Sequence, residues 1–600
     1  MPSRAETYAG RARQHVARRD AERRVSVALS RWRLVTFLPA FALLIWGMQA
    51  GVPLAFVSSA VLFLIFFALV VRHARVDERA AWFEALRLVN QRAIARIERR
   101  WDDLPVGERV APAEHPYADD LDIFGRASLY QWIGPAATAT GAETLARWLL
   151  ASATPEEIRL RQHAVDELAP RDEWREHLAA FGAVDTGATP LPIAGFLSWA
   201  ESRVPPLPYL SAIRIAVYAI TGSIWVLIVL HVTGVTPAFW PIPLVIGMIG
   251  SFAAGYGIHM AFNAAGAGQT ALRQYAALLA HLVSPRFETP RLAAIQERLG
   301  SHSEPAPHAM KRLNGILGFA ELRQGSAILH FPIQAFTLWD FHVLFALERW
   351  RRSIGPHVRD WLDAAGEIDA LACFAAIRHD NPSWCQPRLV EQRVLRATAL
   401  GHPLIPDTRR VANDVTVGPP GTTLLITGSN MSGKSTLLRA IGLNAVLAQT
   451  GAPVCASDLE MPPADLYTSI RIQDSLERGI SYFMAALARL KAVVDAAERE
   501  PEDRVLLYLL EEILQGTNSV ERGMAVQAVA RHLLSAPAVG AITTHDLGVA
   551  SDEPLSLAAV LVHFTETVDD AGNMAFDYTL RPGLATSRNA LRLMKLIGID

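Results

Sequence analysis

The sequence predicts an α/β domain with a mostly parallel sheet, preceded by a mostly helical region that carries two transmembrane helical hairpins. Three observations carry that reading. The stretch Gly428-Ser429-Asn430-Met431-Ser432-Gly433-Lys434-Ser435-Thr436 lies between an apolar strand-like run and a helix-like run. Two long runs, Leu34 to Val71 and Ile215 to Leu272, hold no Asp, Glu, Lys or Arg. From about residue 390 the pattern changes to short strands alternating with helices.

Composition agrees. A chain of 600 residues suggests several domains. An apolar fraction of 51% with only 19% charged residues points to membrane segments. The net charge of −2 gives no global basic field of the kind that advertises nucleic-acid binding. Cys373, Cys385 and Cys455 are far apart and form no C-x-x-C, so neither a zinc site nor a disulfide framework is indicated.

Taken in order, residues 1–32 read as an arginine-rich cytoplasmic tail; the first 33 positions hold nine arginines against three acids. Residues 33–72 form the first hairpin. The uncharged run is 38 residues long, and Gly51-Val52-Pro53 divides it into spans of roughly 33–50 and 53–72. Arg72, His73 and Arg75 follow, so positive charge flanks both ends and both ends face the cytoplasm. A cleaved signal peptide is the rival, and the long basic start and double-length apolar part argue against it. Residues 73–210 are helical, with Trp82, Leu86, Val89 and Ile94 on the apolar positions of a helix from Glu78 to Arg100. Residues 211–262 form the second hairpin, with spans of about 212–232 and 239–261 around Thr233-Gly234-Val235-Thr236-Pro237. Residues 263–389 are helix-patterned, with a long amphipathic stretch from Phe341 to Trp361, and 390–600 form the α/β domain.

The glycine-rich stretch fits G-x-x-x-x-G-K-[ST], the phosphate-binding loop of nucleotide hydrolases. Gly428 and Gly433 let the backbone turn tightly so that amide N–H groups point at phosphate oxygens. Lys434 is placed to reach the β- and γ-phosphates and Ser435 to sit on Mg²⁺. A second acidic strand is required, and Val505-Leu506-Leu507-Tyr508-Leu509-Leu510-Glu511-Glu512 supplies it. One carboxylate would hold Mg²⁺ and the other would orient or deprotonate the attacking water. Both serve one site only if the strand finishes or twists there, since alternation sends successive side chains to opposite faces. His545 ends another short strand and is a candidate γ-phosphate contact. Ser481 opens a helix, where it is a phosphate contact or a simple N-cap.

Together these residues resemble the MutS family, the ATPases of DNA mismatch repair. Thr427-Gly428-Ser429-Asn430-Met431-Ser432-Gly433-Lys434-Ser435-Thr436 is similar to the family's T-G-P-N-M-x-G-K-S-T, with Ser429 in place of Pro. Ser481-Tyr482-Phe483-Met484 resembles S-T-F-M, and Glu511-Glu512-Ile513-Leu514-Gln515-Gly516-Thr517 resembles D-E-I-G-R-G-T, with Glu511 in place of Asp. Thr543-Thr544-His545 is similar to A-T-H. Gly401-His402-Pro403 resembles the entry to the ATPase domain, and Leu121-Asp122-Ile123-Phe124-Gly125 the start of the family's core and lever region. An arginine-rich stretch, a hairpin and a short helical segment stand where the mismatch-recognition domain would be.

The resemblance implies a P-loop ATPase domain of the MutS/ABC-like type and helical core and lever regions in 73–210 and 263–389. It implies ATP and Mg²⁺ as cofactors. Lys434 and the rest of the 428–436 loop would bind nucleotide with Ser481; Ser435 and Glu511 would take the metal; Glu512 and His545 would be catalytic. It further implies a homodimer through the ATPase domains, with Ser481 reaching the partner's nucleotide. Membrane lipid is the expected surrounding of the hairpins, and the location is the cytoplasmic (inner) membrane, multi-pass, with the ATPase domain in the cytoplasm. DNA binding stays open. One reading keeps the family's activity on mismatched or structured DNA, and the alternative is an ATP-gated membrane machine or scaffold that does not bind DNA. A transporter is a weaker third, because the spans hold no Asp, Glu or Lys.

Overall fold

Two helices of 47 and 46 residues open the chain, Arg4–Ala50 and Pro53–Glu98. The computed structural model describes residues 3–107, 112, 114–134, 136–184, 193–204, 207–266, 269–300, 304–325, 327–429, 431–471, 482–499, 503–513, 519–545, 553–568 and 574–584. The chain divides into two compact units. One comprises Met1–Pro135, Leu145–Glu176 and Ala370–Asp600, and the other Ala136–Thr144 and His177–Asp369.

In the first unit the arginine-rich stretch is not a separate tail. Ser3 starts the first helix with a capping box to Glu6, and the helix then runs without a break through the arginines into the apolar run. Basic residues are good helix formers, so nothing in their composition stops it. At 1.5 Å per residue each helix is about 70 Å long, over twice the hydrocarbon thickness of a bilayer. Gly51, in the left-handed region at φ 66°, makes the turn between them. Gly47 lies against Ala55 and Phe56, and the Ser59 hydroxyl donates to the Ala40 carbonyl, so the two apolar segments pack closely. Beyond the apolar part, Arg19 pairs with Glu84 and Ser26 with Asp77 across the same two helices. Farther on, Arg96 and Tyr8 share the Asp380 carboxylate, and Asn90 and His15 share Glu176.

The same unit holds the mixed α/β C-terminal domain. Its strands are β1 (Arg388–Leu389), β2 (Leu395–Leu400), β3 (Asn413–Val417), β4 (Thr423–Thr427), β5 (Asp458–Met461), β6 (Ala464–Ser469), β7 (Val505–Glu511), β8 (Ala538–Thr544), β9 (Ala559–His563), β10 (Glu566–Val568), β11 (Met574–Phe576) and β12 (Arg581–Pro582). The main sheet has the order β12-β9-β4-β8-β7-β6, parallel except for the antiparallel edge strand β12. A four-stranded sheet, β1-β5-β2-β3, and the hairpin β10–β11 complete it. Every residue of β4 and β8 is buried, as an apolar strand covered on both faces requires. On one face Leu425, Leu506, Tyr508 and Leu510 pack with Leu490 and Val493 of Tyr482–Ala497 and with Ala530 and Leu533 of Ser519–Ser535. On the other face the helix Lys434–Thr450 is buried nearly all round. Its Gly442 fits between Leu509 and Leu121; a Cβ there would stand 2.8 Å from Leu121. The 116–125 segment is fastened to the domain by Asp120, which accepts from Thr468 and the Ile470 amide, and by Asp122, which pairs with Arg439 and Arg471.

The second unit is helical among its described residues. It includes the apolar helices Leu210–Val232 and Pro241–Gly266, joined through residues 233–240. Trp199 and Trp350 stack at 6.0 Å in its core, and the Trp350 indole donates to the Ala309 carbonyl. The long helix Trp339–Asp380 keeps Pro356 inside it and includes the amphipathic stretch expected at Phe341–Trp361. In all, four described helices are long and apolar enough to cross a membrane, and the expected span ends differ from the helix ends by a few residues in the second hairpin.

Candidate functional site

Strand register brings distant parts of the chain to one edge of the main sheet. Thr427 pairs with Thr544 and Glu511 with Thr543, so β4, β8 and β7 end side by side. Their next residues are Gly428, His545 and Glu512. Ligands of parallel α/β sheets bind outside the carboxyl ends of the strands, which is this edge.

The loop after β4 needs its glycines. Gly428 has φ 146° and Gly433 φ 112°, and a Cβ on Gly428 would stand 2.8 Å from the Ser432 hydroxyl. Gly433 ends the turn and the helix Lys434–Thr450 begins. Lys434 is buried, and its Nζ donates to the carbonyls of Gly428 and Ser429, each at 2.8 Å. Burial pulls its pKa below the ordinary lysine value, and the nearby Glu512, Glu511 and Glu566 oppose that. The Ser435 hydroxyl donates to the Glu511 carboxylate, and the Ser429 hydroxyl to Glu566.

The two adjacent glutamates reach one cavity because β7 finishes at Glu511. Glu512 leaves the strand with a left-handed φ of 45°, its amide held by the Thr543 carbonyl at 3.1 Å. Its Oε1 lies 3.3 Å from Nδ1 of His545, a half-exposed ring. Burial, and then the charge of Glu512, push the Glu511 pKa up, while Ser435, Arg439 and Lys434 pull it down.

A cavity of about 630 Å³ opens from this cluster, in the range of small-molecule sites. One end is made by Gly433, Lys434, Ser435, Thr436, Glu511 and Glu512. Phe564 and Tyr578 lie beside Gly433 there. Another wall is made by residues from the 400–411 segment, including His402, Leu404, Ile405 and Arg410. This wall is tied to the Lys434–Thr450 helix by Asn444, which donates to the Gly401 carbonyl at 2.9 Å. Burial lowers the pKa of His402 to about 4, and its Nδ1 accepts from the Leu404 amide, so the ring is neutral near pH 7.

Of the residues singled out in the sequence, Met431, Lys434, Ser435, Thr436, Gly433, Glu511 and Glu512 line the cavity. Gly428, Ser429 and Ser432 form the loop behind it, and His545 stands at its edge against Glu512. Asn430 and Ser481 lie outside the described residues. Sequence reasoning missed Glu566, Phe564, Tyr578 and the role of the 400–411 wall. Gly401-His402-Pro403 was a signal for the wall; nothing local marks the other three. Adjacent hydroxyl and carboxylate oxygens of Ser435 and Glu511 are hard donors that suit Mg²⁺, which keeps several waters and takes few protein ligands. Among the described residues, no group of three His, Cys, Asp or Glu side chains is placed to hold a metal ion.

The model of the family MutS domain V matches residues 424–600. The chain is 32% identical over 250 residues to a DNA mismatch repair protein MutS of Synechococcus sp. (strain CC9902), covering 40% of this chain and 27% of that protein. It is also 32% identical over 244 residues to a DNA mismatch repair protein MutS 2 of Halobacterium salinarum, with 39% and 27% covered. A DNA mismatch repair protein MutS of Chloroflexus aurantiacus matches at 32% over 258 residues, with 41% and 26% covered. The match spans about a quarter of the length of these curated relatives.

Proposed function

The chain belongs to the MutS family through its C-terminal domain, and on that premise we propose that it is an ATPase held in the cytoplasmic membrane by two helical hairpins. The observation that carries the ATPase reading is the Ser435–Glu511 contact beside Lys434 at one end of the cavity. The triphosphate lies against the 428–436 loop, whose helix N-terminus and glycine turns favour anions. The base lies toward the 400–411 wall. Ser435 and Glu511 would hold Mg²⁺, which when bound would supply charge neutralisation at the phosphates. Lys434 exchanges the two loop carbonyls for phosphate oxygens. Glu512 accepts a hydrogen bond from the attacking water and aligns it, with His545 beside it. By family resemblance the active form is a homodimer, with Ser481 contributed across the interface.

Membrane anchoring is supported by helix length and by exposed apolar side chains on the same helices. Leu64 is 70% and Phe252 91% exposed, and a continuous apolar surface of that kind is unfavourable in water. The similarity to DNA mismatch repair proteins favours an action linked to mismatched or structured DNA. A second reading, an ATP-gated membrane device without DNA, is favoured by the net charge of −2 and the helices standing where a recognition domain would be.

The test uses the full chain in detergent. Wild type should bind ATP with Mg²⁺, and Lys434→Ala should lose that binding, because a charge-assisted phosphate contact disappears. Equal affinity in the two proteins would overturn the ATP-site reading. Binding of mismatched duplex should fall steeply with salt if DNA is a ligand. No salt-sensitive binding, with or without ATP, would select the second reading.

A further inference from the structure

The helix Pro53–Glu98 contains the second apolar segment of the first hairpin and continues to Arg99, whose φ of 55° ends it. The Arg99 side chain does not turn to solvent; the residue is 7% exposed. Its Nη1 donates to the carbonyls of Ile97 at 2.8 Å and Arg96 at 3.3 Å, so the guanidinium caps the negative end of its own helix. Its Nη2 donates to the carbonyl of Pro403 at 2.8 Å. Pro403 sits between His402 and Leu404, both of which line the cavity. A second route joins the same two places. The Arg99 guanidinium lies 4.9 Å from the Trp132 ring, Trp132 lies 5.5 Å from Trp384, and Arg410 lies over Trp384 at 5.6 Å. Arg410 lines the cavity and donates to the Ile405 carbonyl.

We propose that Arg99 is a positioning residue for the base end of the nucleotide site, fastening the 402–406 wall to the helix that carries the second apolar segment. Nucleotide occupancy and the placement of that helix are thereby coupled, and the coupling is reciprocal. The inference rests on the reading of the cavity as an ATP site. The physical argument is one of placement. A charge-assisted bond to a carbonyl in a wall resists displacement of that wall, and small misplacements of a binding surface are costly. A cap that served only the helix would end on the Arg96 and Ile97 carbonyls. Here the fork is shared with a backbone oxygen 304 positions away, in the segment that faces the ligand. Burial lowers the Arg99 pKa to about 10, which leaves it charged near neutral pH.

The experiment compares ATP, ADP and inorganic tripolyphosphate binding to the full chain in lipid nanodiscs, for wild type, Arg99→Gln, Arg99→Lys and Lys434→Ala. Arg99→Gln should weaken ATP and ADP by about tenfold and leave tripolyphosphate unchanged. Arg99→Lys, which keeps the charge but loses the planar fork, should show a smaller loss of about threefold with the same base-dependent pattern. Should Arg99→Gln not fold, that pattern in Arg99→Lys decides. Equal weakening of all three ligands, or none, overturns the proposal. A fluorophore on Arg79→Cys should respond to ATP in wild type and less in Arg99→Gln; no response in wild type overturns the coupling. If wild type binds no ATP, or Lys434→Ala binds it equally well, the ATP-site reading itself fails. ATP binding that needs Lys434 but ignores Arg99 removes this inference alone.

Discussion

Glu512→Gln isolates one charge in the cluster without changing its shape. The backbone at 512 is held left-handed by the Thr543 contact, and glutamine tolerates that geometry no worse than glutamate. Two consequences follow from the positions of the carboxylates. On the proposed reading, the group that aligns the attacking water and accepts its proton is gone, and such groups contribute about 10² to 10⁴ in rate. Turnover should fall by at least about a hundredfold, near 2.7 kcal/mol of barrier. The second consequence concerns Glu511. Glu512 is one of the groups that raise the Glu511 pKa, so neutralising it makes Glu511 ionise at lower pH. Mg²⁺-dependent ATP binding should therefore persist to lower pH in the variant than in wild type. Single-turnover hydrolysis measures the first effect, and ATP binding with Mg²⁺ between about pH 5 and pH 8 measures the second. Normal hydrolysis by Glu512→Gln, with Glu511→Asp inactive, would reverse the two roles. An unchanged pH profile of binding would refute the electrostatic link between them.

Asp369 accepts from the Ala137 and Thr138 amides and the Thr138 hydroxyl, and burial raises its pKa from 3.8 to about 6. The folded state thus binds the proton more tightly, so this group's contribution is greatest below about pH 4 and falls as pH rises through about 6, by at most about 3 kcal/mol. The drop in thermal midpoint across that window should be smaller in Asp369→Asn; an unchanged slope refutes the assignment. For topology, a cysteine at Val235 should react with an impermeant reagent added outside the cell and one at Asp407 should not; external labelling at Asp407 ends the membrane reading. For the shared site, Ser481→Ala mixed with Lys434→Ala should recover part of the ATPase activity, since one intact composite site forms. Verified mixed dimers without recovery exclude sharing.

What the sequence made legible is what lies close together along the chain. The loop 428–436 is contiguous, its glycines are demanded by local φ values, and its helix follows at once. The apolar runs were legible by length alone, since absence of charge needs no knowledge of neighbours. The helical continuation through the arginines was misread as a tail, because charge marks where a helix meets water and not where it stops. Glu511 and Glu512 show the limit within a single strand. Their identities were plain, but their sharing of one cavity depends on a φ of 45° fixed by Thr543 from the neighbouring strand. Glu566 against Ser429 and Arg99 against Pro403 go further. Neither residue has a pattern of its own; each acquires its place only when register and packing bring a remote segment to it. A buried arginine at a helix end reads locally as a cap, and two of the three hydrogen bonds of Arg99 are that. The third bond crosses to Pro403, so what looks in sequence like the end of a helix is in space a fastening of the cavity wall.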